Sequence, residues 1–593
     1  MQTHPLRTLI TATLITIIAL VLYLPGLFTL PAIDRDESRF AQASRQMAES
    51  GDIVVPMVQG KPRLNKPPLI YWLQSASATA LTGGQITRDA IWMYRIPSWL
   101  AAAGTVVLVW HLGRKMFGER AGLLAASMFA VAPVILWEAR QARADTVLVF
   151  VTTGAMVALW HVITAWSESK KHNIIFPVLA VVMFWVCIGL GIMTKGPVTP
   201  LIVACTLASV ILMTRARGLG MFTAPLLGAV VVLGMGLPWL LAVMNSVGAD
   251  VYIKTIYDET LGRSLEPKEG HSGPPGYHTL LMPAIFFPGS LALGAGIMLG
   301  VDAIRTAWRE RRGAPEVNIT PALYLVAWIL PAWIVFEFVR TKLPHYTMPL
   351  YPALALLCAG GLVRGGERLR LMVTRWWAKL GHTSWALALC TLIAASTAVA
   401  AIAVSGSGAG PLAALAVPER NITFNVNSPP AFLPQYLGVA GWLVVITGAL
   451  IVMIAAVVVT LLRGRPAHAV PVGCALFGLS SCVLIGSAPS LERIWTTRQI
   501  VTLLHEVDPE STRKLGAVGY HEDSLIFATR GRATRINPES VIDFVTQNPG
   551  ALLIVDDAVI DKVPLEITPL GSVTGYNYSK GKWTYITLGE HKP

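Results

Sequence analysis

The chain has 593 residues, 54% of them hydrophobic and 14% charged, with a formal net charge of +13. Average soluble domains carry roughly 25% charged residues, so a water-soluble enzyme is excluded and a polytopic membrane protein remains. The positive charge is divided among short loops rather than gathered in one patch, which argues against a nucleic-acid-binding surface.

Apolar stretches of about 17–25 residues count as spans, because roughly 20 helical residues cross the hydrocarbon. About thirteen are expected on that basis, near 8–29, 91–113, 121–136, 144–166, 174–192, 197–213, 221–243, 278–301, 319–339, 346–363, 383–404, 435–462 and 469–488. The first is expected to be an uncleaved anchor. Its apolar run exceeds the roughly 7–15 residues of a signal-peptide core, and it lacks a small-x-small cleavage site. With the N-terminus cytoplasmic, the loops carrying Arg114, Lys115 and Arg120, Lys170 and Lys171, Arg215 and Arg217, Arg305 to Arg312, Arg364 to Lys379, and Arg463 and Arg465 all lie inside, as the positive-inside rule demands. Segments 30–90, 137–143, 193–196, 244–277, 340–345, 405–434 and the C-terminal stretch from 489 then face outward.

The first outward segment opens with Asp34-Arg35-Asp36-Glu37-Ser38-Arg39-Phe40. It is expected to form two short helices lying along the membrane. One is Ser38–Glu49, stopped by Ser50-Gly51-Asp52. The other is Pro67–Leu81, with prolines at its start, where their missing N–H costs nothing. Ile70, Tyr71, Trp72 and Leu73 suit an interfacial face with aromatic anchors. Charges return after residue 488. Short β-like runs appear at Lys514–Tyr520, Ala551–Val555 and Lys582–Leu588, with helices at Thr497–Val507 and Pro538–Gln547, so a small α/β domain is expected over 489–593. The six cysteines (Cys187, Cys205, Cys358, Cys390, Cys474 and Cys482) all fall in spans without CxxC spacing and read as buried hydrophobes.

The remaining unusual polar residues gather on the outward side. Arg140, Arg143 and Asp145 lie between the third and fourth spans, and Lys195 lies in Met193-Thr194-Lys195-Gly196-Pro197. Arg263, Glu266, Lys268, His271, Tyr277 and His278 precede the eighth span. Arg340, Lys342, His345 and Tyr346 form a further outward turn. Singly, each has a plain structural reading: Asp36 and Glu37 as solvated loop charges, Lys195 and Lys342 as snorkelling lysines, His271 and His345 as packing histidines, Asp145 as a helix-dipole partner. Jointly they set cations around a few carboxylates on one membrane face, against the charge trend of the loops. That pattern suits a phosphate on a long lipid tail.

The motifs Ile33-Asp34-Arg35-Asp36-Glu37-Ser38-Arg39-Phe40-Ala41, Gly51-Asp52-Ile53-Val54-Val55-Pro56, Asn65-Lys66-Pro67-Pro68-Leu69-Ile70-Tyr71-Trp72, Thr194-Lys195-Gly196-Pro197 and Lys342-Leu343-Pro344-His345-Tyr346 resemble those of GT-C glycosyltransferases. Within them the lipid A aminoarabinose transferase branch, related to protein O-mannosyltransferases, is most similar. The resemblance covers roughly residues 5–490. It implies a polytopic α-helical membrane protein of GT-C type over 1–488, with periplasmic loops 30–90 and 244–277, and a small periplasmic α/β domain over 489–593. It implies an inverting transferase that takes a sugar from a polyprenyl-phosphate donor to lipid A, lipopolysaccharide core or another envelope glycan. A protein hydroxyl is the alternative acceptor, and a lipid flippase or a membrane scaffold is the non-enzyme alternative.

The family's catalytic Asp maps onto Asp36, with Glu37 beside it, and its second carboxylate onto Asp145. The donor-phosphate lysine of its Glu-Lys-Pro motif maps onto Lys66. Arg39, Arg143, Lys195, Arg263, His271, Tyr277, Arg340, Lys342, His345 and Tyr346 are the further substrate-binding candidates. In aminoarabinose transferases the Glu of that motif, with a loop histidine, can hold a divalent metal. Here Asn65 takes its place, and Asn is a poor zinc ligand, so no metal site is expected through Asn65 and His271.

Overall fold

The computed structural model describes residues 5–169, 177–262, 272–313, 316–366 and 466–591, with isolated positions between 381 and 391. The first membrane helix, α1 (Pro5–Leu22), leads into the outward loop. That loop holds α2 (Asp36–Ser50), a two-stranded hairpin of β1 (Met57–Val58) and β2 (Lys61–Pro62), and α3 (Leu69–Leu81). Gly51 ends α2 at φ 73, donating its N–H to Met47 O, the left-handed cap that glycine adopts without steric cost.

Then follow α4 (Ile91–Phe117), α5 (Glu119–Ala130), α6 (Pro133–Glu138), α7 (Asp145–Ser169), α8 (Val178–Lys195) and α9 (Val198–Thr214). After the short α10 (Leu219–Phe222) come α11 (Pro225–Val247) and α12 (Ala249–Tyr257). The bundle continues with α13 (Tyr277–Ile285), α14 (Leu293–Gly313), α15 (Pro321–Phe338), α16 (Tyr351–Arg364) and α17 (Pro466–Ser487).

Nine helices among the described residues are long and apolar enough to cross a membrane, and α9 is a shorter apolar helix. The expected spans at 383–404 and 435–462 lie essentially outside the described residues. Two expected spans are broken. The stretch 121–136 divides into α5 and α6, because Pro133 starts a new helix and cannot donate its N–H to the preceding turn. The stretch 278–301 divides at the 286–288 turn, after which a 3-10 turn, Gly289–Ala292, leads into α14.

The two loop helices exist as expected, but α2 does not lie open on a membrane surface. Glu37, Ser38, Phe40, Ala41, Ala43, Ser44, Arg45 and Met47 are all buried. It is packed between α3 and the C-terminal part of the chain. On α3, Ile70 and Tyr71 are buried, and Trp72 donates its indole N–H to Ile53 O at 2.8 Å.

The C-terminal stretch forms a five-stranded sheet ordered β4-β3-β5-β7-β6. Here β3 is Leu515–Val518, β4 Ala533–Ile536, β5 Leu552–Asp556, β6 Thr568–Asn577 and β7 Lys582–Glu590. Helices α18 (Thr496–Val507), α19 (Asp523–Ala528) and α20 (Val541–Gln547) connect or cover them. Strand β3 is parallel to both β4 and the central β5, and β7 is antiparallel to β5 and β6. Both β3 and β5 are buried along their whole length, and so read as plain apolar runs. Strands β4 and β6 were not expected. β4 has four residues with Thr534 and Arg535 exposed at a sheet edge, and β6 carries Gly571 and Gly575. Pairing with neighbours makes them strands, since their own residues favour the conformation weakly.

Candidate functional site

Element ends meet at one end of the bundle. Asp36 is the first residue of α2, Glu138 the last of α6, Asp145 the first of α7 and Lys195 the last of α8. Arg143 lies in the turn before α7, and His345 in a 3-10 helix, Pro344–Leu350, that leads into α16. Lys195 is fixed there because Gly196 (φ 63) and Pro197 reverse the chain between α8 and α9.

Arg143 is the hub. Its Nη1 lies 2.7 Å from Glu138 Oε1, its Nη2 3.1 Å from Asp36 Oδ2 and its Nε 3.9 Å from Asp145 Oδ2. Lys195 Nζ donates to Asp145 Oδ1 at 2.5 Å. It also sits 5.3 Å from the Tyr346 ring centroid, a cation–π contact. His345 Nε2 lies 3.5 Å from Arg143 Nη2 and 3.9 Å from Asp145 Oδ1, and its Nδ1 4.0 Å from Glu138 Oε1. Three carboxylates thus share two cations and an imidazole.

Exposure distinguishes the carboxylates. The side chain of Asp36 keeps 44% of its accessible surface, against 3% for Glu138 and 8% for Asp145. Asp36 is therefore the most exposed of the three. Burial pushes its carboxyl up, but the Arg143 and Arg63 guanidiniums outweigh that and hold it below the usual range. Glu138 goes the other way. Burial raises its pKa to about 7, with Arg143 pulling down and Asp145 pushing up.

Beside the cluster opens a cavity of about 770 Å³. Its lining includes the polar Lys66, Asp145, Lys195, His345 and Glu259 and the apolar Leu233, Leu237, Trp239 and Leu240. Lys66 Nζ is 3.7 Å from Glu259 Oε2. Asn65 also lines it, with a buried carboxamide oxygen that lacks a hydrogen-bond partner. Among the described residues no group of three or more His, Cys, Asp or Glu side chains is arranged to hold a metal ion. The neutral carboxamide of Asn65 is a poor zinc ligand.

Of the residues singled out from sequence, Asp36, Arg143, Asp145, Lys195 and His345 come together, with Lys66 and Tyr346 on the cavity wall. The other candidates among the described residues do not join them. Glu37 points away from the cluster: Arg95 Nε and Nη2 hold its two oxygens at 2.8 and 2.9 Å, and the Ile33 and Ala142 N–H groups donate to it at 2.8 and 2.9 Å. Both side chains are wholly buried, so Glu37 is a structural brace for the turn before α2. Lys342 donates to the Phe336, Glu337 and Val339 carbonyls at 3.2, 2.7 and 2.8 Å, capping the C-terminal end of α15. Arg39 pairs with Asp523 at 2.7 Å. Tyr277 packs edge-on against His278, and Arg340 is exposed. Arg263 and His271 lie outside the described residues.

The sequence reading missed Glu138, Arg63 and Glu259. Glu138 had a visible signal, being the sole carboxylate between Glu119 and Asp145. Arg63 reaches the site through the β1–β2 hairpin, donating to Tyr71 Oη at 3.2 Å with its guanidinium 5.2 Å from the Phe40 ring centroid.

This bundle with an amphipathic cavity and a sheet over its first loop is a multi-pass membrane protein of the GT-C fold. The chain is similar over its whole length to the ArnT of Cupriavidus metallidurans in a crystal structure bound to undecaprenyl phosphate. The TM-score is 0.68 at 21% identity, covering 97% of each chain; the apo structure of the same protein gives 0.67 at 19%. The family described as dolichyl-phosphate-mannose-protein mannosyltransferase matches residues 65–241. An undecaprenyl phosphate-alpha-4-amino-4-deoxy-L-arabinose arabinosyl transferase of Pseudomonas aeruginosa is 31% identical over 338 residues, 57% of this chain and 56% of that relative's length. A protein of the same description from Edwardsiella ictaluri is 28% identical over 344 residues.

Proposed function

We propose that this protein transfers a sugar from a polyprenyl-phosphate donor to lipid A, or another envelope glycolipid, at the periplasmic face of the bacterial inner membrane. The observation that carries this reading is the cavity, whose many apolar lining residues suit an isoprenoid tail and whose Lys66 and Lys195 suit a phosphate. The most exposed carboxylate of the adjoining cluster, Asp36, is held by Arg143. The relatives named above support the donor class.

In this reading the acceptor oxygen attacks the anomeric carbon as the bond from that carbon to the donor phosphate oxygen breaks. The electron pair leaves with the polyprenyl phosphate, and Lys66 and Lys195 stabilise the charge that grows there. A single displacement inverts the anomeric centre. The depressed pKa of Asp36 makes it a weak base at neutral pH. It suits an acceptor that is already anionic, such as a lipid A phosphate, with Asp36 orienting the acceptor or stabilising positive charge on the sugar ring.

The test is mass spectrometry of lipid A and core from cells with and without the protein, alongside an Asp36→Asn variant. A sugar-sized mass increment is expected with the wild-type chain, falling by about 100-fold or more in the variant, whose folded yield stays normal. An increment retained by Asp36→Asn overturns the assignment of Asp36. No increment on any envelope glycolipid overturns the acceptor, and points to a protein hydroxyl.

A further inference from the structure

Residues 34–39 are held from above by the C-terminal sheet domain. The Asp34 N–H donates to Tyr578 Oη at 2.9 Å, and Asp34 Oδ1 accepts the Ser524 N–H at 3.1 Å. Arg35 Nη2 donates to Ser579 O at 2.8 Å, and Arg39 Nε to Asp523 Oδ2 at 2.7 Å. Between these contacts Arg35 has φ 64 and ψ −116. Those angles are what a type II′ turn requires of its first central residue, a place glycine normally fills because a Cβ is strained there. The residue next in chain is Asp36, whose carboxylate meets Arg143.

The part of the domain that makes these contacts is itself rigid. The turn after β6 is closed by the Ser579 and Lys580 N–H groups, which donate to Asn577 Oδ1 at 3.0 and 3.1 Å. Glu522 braces it, accepting from Asn577 Nδ2 and Ser579 Oγ at 2.8 Å each. Strain of this kind persists only where the surroundings over-determine it. Here the Glu37–Arg95 brace holds the turn from one side and the C-terminal domain holds it from the other.

We propose that the C-terminal domain is a positioning device for Asp36: its 577–580 turn and the start of α19 hold Arg35 in the strained turn that aims Asp36 at Arg143. This rests on the reading that Asp36 serves sugar transfer. Tyr578, Ser524 and Arg35 are positioning residues and touch no substrate.

The test pairs a variant that loosens the hold with one that removes the strain. In full-length protein in detergent, with undecaprenyl-phosphate-linked aminoarabinose and lipid A as probes, Tyr578→Phe is expected to lower kcat by about fivefold to tenfold at unchanged donor KM. Arg35→Gly, which adopts the turn freely, keeps kcat within about threefold of wild type. In the Arg35→Gly background, adding Tyr578→Phe costs less than about twofold. An unchanged kcat in Tyr578→Phe, or a defect of equal size in both backgrounds, overturns the proposal. Hydrogen exchange gives a readout independent of substrate. Tyr578→Phe should speed exchange at residues 34–39 and leave 91–117 unchanged, and Arg35→Gly should abolish that difference. Uniform exchange changes, or none, overturn it as well. Turnover retained by Asp36→Asn would instead overturn the role of Asp36, leaving the exchange result to judge the domain's hold on the turn.

Discussion

Glu138 decides how Arg143 divides its charge. Ionised, it draws the guanidinium toward itself; neutral, it leaves more of that charge to Asp36 and to any bound phosphate. Its pKa of about 7, raised first by burial, puts this change near neutrality. Below that value Glu138 is protonated, and the cluster of Arg143, Lys195, His345, Asp145 and Asp36 carries one negative charge fewer. The donor KM should therefore rise as pH increases through about 7, and Glu138→Gln should flatten the profile; a KM–pH series from pH 6 to 8 for both proteins checks this. At this scale the sequence was legible where a charge interrupts an apolar pattern at an outward turn, as at Asp145, Lys195 and His345. It was illegible where two residues share that signal but differ in partners. Nothing in Asp36-Glu37 announces that one side chain meets Arg143 in the site while the other is locked on Arg95 from α4, 58 residues away. Lys342 likewise carries the same signal as Lys195, yet its ammonium is spent on three carbonyls of its own neighbourhood.

Helix ends build the site, so helix packing sets its geometry. In lipid no hydrophobic force pulls helices together, and close approach depends on small residues. A Cβ added to Gly361 on α16 would collide with the Ala295 carbonyl oxygen on α14, whereas one added to Gly234 on α11 meets nothing within 4 Å. Gly361→Ala should destabilise the detergent-solubilised protein by about 1–3 kcal/mol, and Gly234→Ala should be neutral or slightly stabilising, as read by thermal unfolding. The spans themselves were legible from apolar length, because the bilayer forces every buried backbone group into helix. Breaks were not. Pro133 starts a new helix, whereas Pro97, Pro238 and Pro331 lie inside helices that continue through them. Whether neighbours re-satisfy the freed carbonyl is a tertiary matter.

Across the whole molecule, the contact between the first loop and the sheet domain carries its own pH dependence. Burial, and then the charge of Glu522, raise Asp34 to about 6. The folded chain therefore holds the proton more tightly than the unfolded chain, where Asp34 has an ordinary carboxylate pKa. Stability from this site is lost as pH climbs from about 4 through about 6. Asp34→Asn keeps the acceptor for the Ser524 N–H without the charge. It should unfold at a higher temperature than wild type at pH 7.5, with the advantage gone below about pH 4; thermal unfolding across that range checks it. By itself the sequence determined the membrane class, most spans, the two loop helices and the residue types that chemistry on a lipid phosphate needs. Apolar length and charge placement are properties of chain segments in a bilayer. Only the tertiary structure decided which carboxylate stays exposed, which cations it meets, and that the C-terminal domain grips the turn before Asp36. Exposure, pKa and strain depend on groups hundreds of residues apart, and the chain's local pattern does not carry them.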